Sequence, residues 1–106
     1  MSEAILELND MNFDQEVLAS EAPVLVDFTA AWCGPCKALA PVLEQLAREA
    51  GGAFKIGKLD VDDAPATAAR FGVRAMPTLL VFRKGARAAQ HVGLANKAKI
   101  LELLRA

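Results

Sequence analysis

The sequence predicts an α/β domain, on three observations. Short apolar runs recur along the chain, each bounded by Gly, Pro, Asn or Asp, the pattern of buried strands. Between them lie segments whose apolar residues return every three or four positions, the pattern of helices. A chain of 106 residues, 54% hydrophobic and 24% charged, is enough for one core and too short for two, so a single domain over 1–106 is expected. Strands and helices alternate as βαβαβαββα, an order that belongs to the α/β class.

Each element has its own grounds. Ala4 to Leu8 forms a short strand, and Asn9 or Asp10 caps a helix over about 12–19, where Phe13, Val17 and Leu18 share a face. Pro23 introduces Val24-Leu25-Val26-Asp27-Phe28, a strand buried on both sides. From Pro35, Leu39, Val42, Leu43 and Leu46 mark a helix that Gly51-Gly52 ends, with a kink expected at Pro41 because proline removes an intrahelical hydrogen bond. Phe54 to Leu59 is the next strand, followed by the acidic turn of Asp60, Asp62 and Asp63. A short helix over about 65–71 stops at Gly72, and Met76-Pro77 leads into a strand from Thr78 to Phe82. Lys84-Gly85 turns into a last strand near Ala88 to Val92, which Gly93 breaks, and Asn96 caps a final helix carrying Ile100, Leu103 and Leu104.

Several function classes are excluded at this level. The net charge is -1 with both signs interspersed, so there is neither a nucleic-acid-binding stripe nor a polybasic membrane anchor. The richest apolar strings, Val24-Leu25-Val26 and Thr78 to Phe82, are far too short to span a bilayer. The first residues lack a basic segment and a long apolar one, and Glu3, Glu7 and Asp10 make them unlike a transit peptide. With residue 1 as the true start, a cytoplasmic protein is expected, and there a purely structural disulfide is disfavoured.

The chemistry concentrates in Trp32-Cys33-Gly34-Pro35-Cys36-Lys37, which holds both cysteines and the one tryptophan of the chain. Zinc needs about four ligands, whereas the chain offers these two thiols and the distant His91. Covalent haem attachment needs histidine after the second cysteine, where Lys37 stands. A redox pair fits better. Cys33 lies at a strand end just before a helix, whose unpaired N–H groups and partial positive charge stabilise a thiolate. Cys36 lies inside the first turn and is expected to be less exposed, which suits a nucleophile at Cys33 and a resolving thiol at Cys36. Pro35 needs no N–H at that position and fixes the turn, while Gly34 leaves room for another protein to reach Cys33.

Those residues give the chain its resemblance to the thioredoxin family. The likeness extends over about residues 5–105, through Asp27-Phe28, Trp32 to Lys37, Pro41, Lys58, Asp60-Val61-Asp62, Met76-Pro77-Thr78, Gly85 and Val92-Gly93. A CxxC alone is moderately specific; WCGPCK followed about forty residues later by MPT is very specific. The resemblance implies a mixed five-stranded sheet with parallel central strands and helices on both faces, and a cis peptide bond before Pro77. It also implies that Asp27 is a buried carboxylate beneath the cysteines, with a raised pKa and able to accept a proton, where the plain alternative is a solvated strand end. Lys58 matches the family lysine that lies near this carboxylate and tunes it, where most lysines are simply solvated. Trp32, with Gly34, Pro35, Met76, Pro77, Val92 and Gly93, would form an apolar rim that docks proteins, and the main chain at Met76 would pair with an extended substrate. His91 is expected to be an ordinary residue of an edge strand.

The function implied is protein-disulfide reduction by dithiol–disulfide exchange in a monomer. No bound metal or cofactor is expected. NADPH enters only through a partner flavoprotein reductase that restores the dithiol. An oxidase or isomerase is the enzymatic rival, against which stands Pro35 where oxidising relatives usually have histidine. A pure binding module is the rival from another class. Two departures from the family pattern, Thr29 and Phe71 at positions where many relatives have an aromatic residue and tyrosine respectively, bear on packing and partner preference.

Overall fold

The computed structural model describes residues 4–106. Its strands are β1 (Ile5–Leu8), β2 (Val24–Thr29), β3 (Lys55–Asp60), β4 (Thr78–Arg83) and β5 (Ala86–Val92). They form one mixed sheet in the order β1-β3-β2-β4-β5. β3 runs parallel to both β1 and β2, and β4 runs antiparallel to both β2 and β5. The sheet class expected from the family resemblance is therefore present.

Side-chain alternation along β2 divides the core in two. Val24, Val26 and Phe28 face one side, where they pack with Leu59, Leu80 and Phe82 under Phe13, Val17 and Ala68. Leu25 faces the other side with Ile56, Leu79 and Val81, beneath Leu39, Leu43 and Leu46 of α1 (Gly34–Glu49) and Ile100 and Leu103 of α3 (Lys97–Arg105). The short α2 (Pro65–Arg70) covers the first face. Asp27 belongs by alternation to the Leu25 side, which places it under α1.

One element differs from expectation. The segment expected as a helix over 12–19 forms only a five-residue π-helical stretch, Asp14–Leu18. Its approach is taken up by Asn9, whose Oδ1 accepts the N–H groups of Met11 and Asn12 at 2.8 Å each. These are the bonds of an N-cap, as expected for Asn9, and the Phe13 N–H bonds back to the Asn9 carbonyl at 3.1 Å; Phe13 and Val17 are buried. Asp10, the alternative cap, serves a different helix: it accepts from the Thr67 N–H and hydroxyl at 2.8 and 2.6 Å, at the start of α2. These bonds hold its carboxyl below the usual range. Pro41 lies inside α1, which continues as one helix from Gly34 to Glu49; proline takes away one hydrogen bond there without ending the element.

Candidate active site

The site is built where β2 ends and α1 begins. Cys33 is the N-cap of α1, with extended backbone (φ -91°, ψ 111°), and its Sγ accepts the Cys36 N–H at 3.2 Å. A sulfur thus takes the capping place usually filled by Ser, Asp or Asn. Cys33 and Cys36 form a disulfide, their Cα atoms 5.3 Å apart. Pro35 lies in the first turn, where its missing N–H costs nothing. Space beside the Gly34 α-carbon is open, with no atom within 4 Å of where a β-carbon would stand.

Cys36 is the less exposed thiol by only a small margin: Cys33 and Cys36 are 5% and 4% exposed. Both cysteines are packed with Ala30, Val61 and Met76. Their placement differs: Cys33 caps the helix and Cys36 sits inside it.

The Met76–Pro77 bond is cis. The Met76 carbonyl oxygen lies 3.5 Å from Cys33 Sγ. The Pro77 carbonyl accepts the Gly93 N–H at 2.8 Å, so the turn after β5 is fastened to the same loop. Around the disulfide Trp32 is 68% and Val92 52% exposed, and Gly34 and Pro35 are exposed while Met76 and Gly93 are half-buried. Pro77 is buried; it supports the rim from below instead of standing in it. Trp32 is held in place by a bond from its Nε1 to Asp62 Oδ2 at 2.9 Å. In the sequence Asp62 belongs to an acidic turn and to the stretch Asp60-Val61-Asp62 that the family shares, neither of which ties it to Trp32. Its partnership with Trp32 spans thirty residues and left no local signal.

Asp27 lies beneath, 3% exposed, and its Oδ1 has no hydrogen-bond partner among the described residues. Loss of hydration pushes the carboxyl up to about 7, against the downward pull of the Lys58 ammonium. Asp27 pairs in register with Lys58 on β3 and with Leu79 on β4. Lys58 itself is exposed, its ammonium reaching solvent as long cationic chains do. A cleft of about 260 Å³ is lined by Asp27, Cys36, Lys37, Lys58 and Thr29, so the carboxyl and the second thiol share one space. Thr29, in place of an aromatic residue, borders that cleft. Phe71 stacks with Phe13 and Phe82 at centroid distances of 5.3 and 5.2 Å. His91 lies on β5, and its Nε2 is 2.9 Å from the Leu94 carbonyl oxygen, away from this chemistry.

A vicinal thiol pair at a helix N-terminus, above a carboxyl whose pKa burial raises to about 7, can exchange two electrons and two protons with another disulfide. Among the described residues no group of three or more His, Cys, Asp or Glu is placed to hold a metal, and no helix is long and apolar enough to cross a membrane.

The thioredoxin family model matches residues 4–106. The chain is 44% identical over 106 residues to a thioredoxin of Pseudomonas aeruginosa, covering 100% of this chain and 98% of that one. It is 48% identical over 104 residues to a thioredoxin of Haemophilus influenzae, covering 98% and 96%. It is 49% identical over 100 residues to thioredoxin C-2 of Corynebacterium nephridii, covering 94% and 93%. With the fold, the capped disulfide and these likenesses together, the chain belongs to the thioredoxin family of thiol–disulfide oxidoreductases.

Proposed function

We propose that the protein reduces disulfides in other proteins, with Cys33 as nucleophile and Cys36 as resolving thiol. The observation that carries this assignment is the capping position of Cys33, whose sulfur accepts the Cys36 N–H at the positive end of a 16-residue helix. The same bond and dipole stabilise a Cys33 thiolate after reduction. That thiolate attacks one sulfur of the substrate disulfide. The substrate S–S bond breaks, its second sulfur leaves as a thiolate and takes a proton, and a mixed disulfide joins Cys33 to the substrate. The Cys36 thiol then gives its proton to the Asp27 carboxylate, through a water in their shared cleft. The Cys36 sulfur attacks Cys33 Sγ, the mixed disulfide breaks, the substrate sulfur leaves as a thiolate and takes a proton, and the Cys33–Cys36 disulfide remains. Two electrons have passed from the pair to the substrate. No metal or bound cofactor enters any step.

In this reading Lys58 lowers the Asp27 pKa from what burial alone would set, which keeps enough carboxylate present at neutral pH to act as a base. Trp32, Met76, Val92 and Gly93 contact the substrate, while Gly34, Pro35 and Pro77 shape the approach. The protein works as one monomeric domain over 1–106 in the cytoplasm. An NADPH-dependent flavoprotein reductase of the thioredoxin reductase kind returns the disulfide to the dithiol. Cys36→Ser should accumulate mixed disulfides with lysate proteins that dithiothreitol releases, whereas Cys33→Ser should capture none. Capture by Cys33→Ser and not by Cys36→Ser would reverse the assignment, and wild-type protein that fails to catalyse insulin reduction by dithiothreitol would remove it.

A further inference from the structure

Beside the disulfide, β5 and the loop after α2 enclose a second cleft of about 220 Å³, whose lining includes Phe71, Arg74, Thr78, Arg87, Gln90 and Val92. It carries one sign of charge. Two guanidiniums line it, and no carboxylate does. The cleft at Cys36, by contrast, mixes Asp27 and Asp60 with Lys37 and Lys58. Neighbouring arginines are already engaged: Arg70 pairs with Asp14 at 2.8 Å, and Arg83 donates to the carbonyls of Leu104 and Ala106. Among the described residues no carboxylate lies within 4.0 Å of Arg74 or Arg87.

The arrangement is built into the strand. Arg87 and Gln90 are three residues apart and would point to opposite faces of a regular strand. The register between β4 and β5 shifts at Val81/Phe82, leaving Ala88 as an extra residue. Such a bulge resets the alternation. Arg87 and Gln90 then share a face, and Arg87 Nη2 donates to Gln90 Oε1 at 2.8 Å. The Arg87 guanidinium lies 5.8 Å from the centre of the Phe71 ring, so its stem is braced while its charge is unpaired. Phe71 supplies no hydroxyl here that could compete for the guanidinium.

We propose that this cleft is a subsite for an acidic side chain of the substrate protein, an Asp or Glu two or three residues from the cysteine that Cys33 attacks. The inference rests on Cys33 being the attacking thiol. Its spacing follows from the chain: Met76 touches Cys33 Sγ through its carbonyl oxygen, and Thr78, two residues on, lines the cleft. At about 3.3 Å per extended residue, an aligned substrate strand reaches the cleft roughly 7 Å beyond the sulfur. At Trp32 stands the Asp62 carboxylate that its Nε1 donates to, so an acid on the substrate meets like charge there and favourable charge at the two arginines.

The test uses three peptides with an internal disulfide, identical except for Glu, Gln or Lys at both positions two and three residues from one cysteine. Second-order rates of reduction by the pre-reduced protein are measured at low salt, each divided by the rate with dithiothreitol, because a nearby charge also alters the peptide's own thiol. The order expected is Glu over Gln over Lys, about two- to fivefold per step, as for exposed ion pairs, and it should collapse in 0.5 M salt. The Arg74→Glu, Arg87→Glu double variant should invert the order, and Arg87→Lys, which keeps the charge, should preserve it. Equal rates for Glu and Gln peptides, or an order that survives charge reversal, overturns the subsite while leaving disulfide reduction standing. A wild-type protein that reduces none of the peptides overturns both.

Discussion

Asp27→Asn keeps the shape of the side chain and removes its proton. In the folded, oxidised protein burial raises the Asp27 pKa from 3.8 to about 7. The folded state therefore binds this proton more tightly than the unfolded state does. The stability that results is fully present below the unfolded pKa and is lost as pH rises through the folded one. With 1.36 kcal/mol for each pH unit between those values, the loss is about 4 kcal/mol by pH 8. Asp27 is 3% exposed, so solvent does little to screen this effect. Asn cannot ionise and escapes the loss. Urea unfolding of the oxidised protein should show wild type falling behind Asp27→Asn by about 1.4 kcal/mol per pH unit from pH 4 to 7, and flattening above. Any constant offset from the amide itself drops out of the slope. In the reduced Cys36 step, mixed-disulfide resolution should also slow while attack by Cys33 changes less. A stability difference that does not vary between pH 4 and 8, or one that shrinks as pH rises, would refute the buried, proton-holding carboxyl.

Two further substitutions probe the frame that carries the site. Gly57→Ala would bring a β-carbon to 2.5 Å from Leu8 Cδ1 and 3.0 Å from its Cγ, between β1 and β3; overpacking of this kind should cost about 1–3 kcal/mol in chemical denaturation, and unchanged stability would mean that Leu8 is free to move aside. Asn96→Ala removes the Oδ1 that accepts the Lys99 N–H at 2.8 Å at the start of α3; a loss of about 1 kcal/mol is expected, recovered by Asn96→Asp or Asn96→Ser, and equal melting of all four proteins would show that the cap contributes nothing.

What the sequence by itself determined is what depends on near neighbours. Apolar spacing located every strand and the helices at 34–49, 65–70 and 97–105, because period and capping act within a few residues. The cysteines could be assigned to a strand–helix junction for the same reason, since Pro35 and the apolar steps from Leu39 onward fix where α1 begins. Over 12–19 local rules placed the cap at Asn9, whose Oδ1 takes the Met11 and Asn12 N–H groups, but not the π-helical form of Asp14–Leu18. They also could not say that Asp10 would cap a helix some fifty-six residues away, because a carboxylate serves whichever N-terminus the fold brings to it. Trp32 reaching Asp62, and the Met76 carbonyl reaching Cys33 across forty-three residues, were decided in the same way. Asp27 shows the division most clearly. Its place in an apolar run was plain, but a strand run carries no record of what lies above it. Only the packing of α1 over β2, with β3 and β4 on either side, removes water from the carboxyl and gives it a proton affinity useful near pH 7.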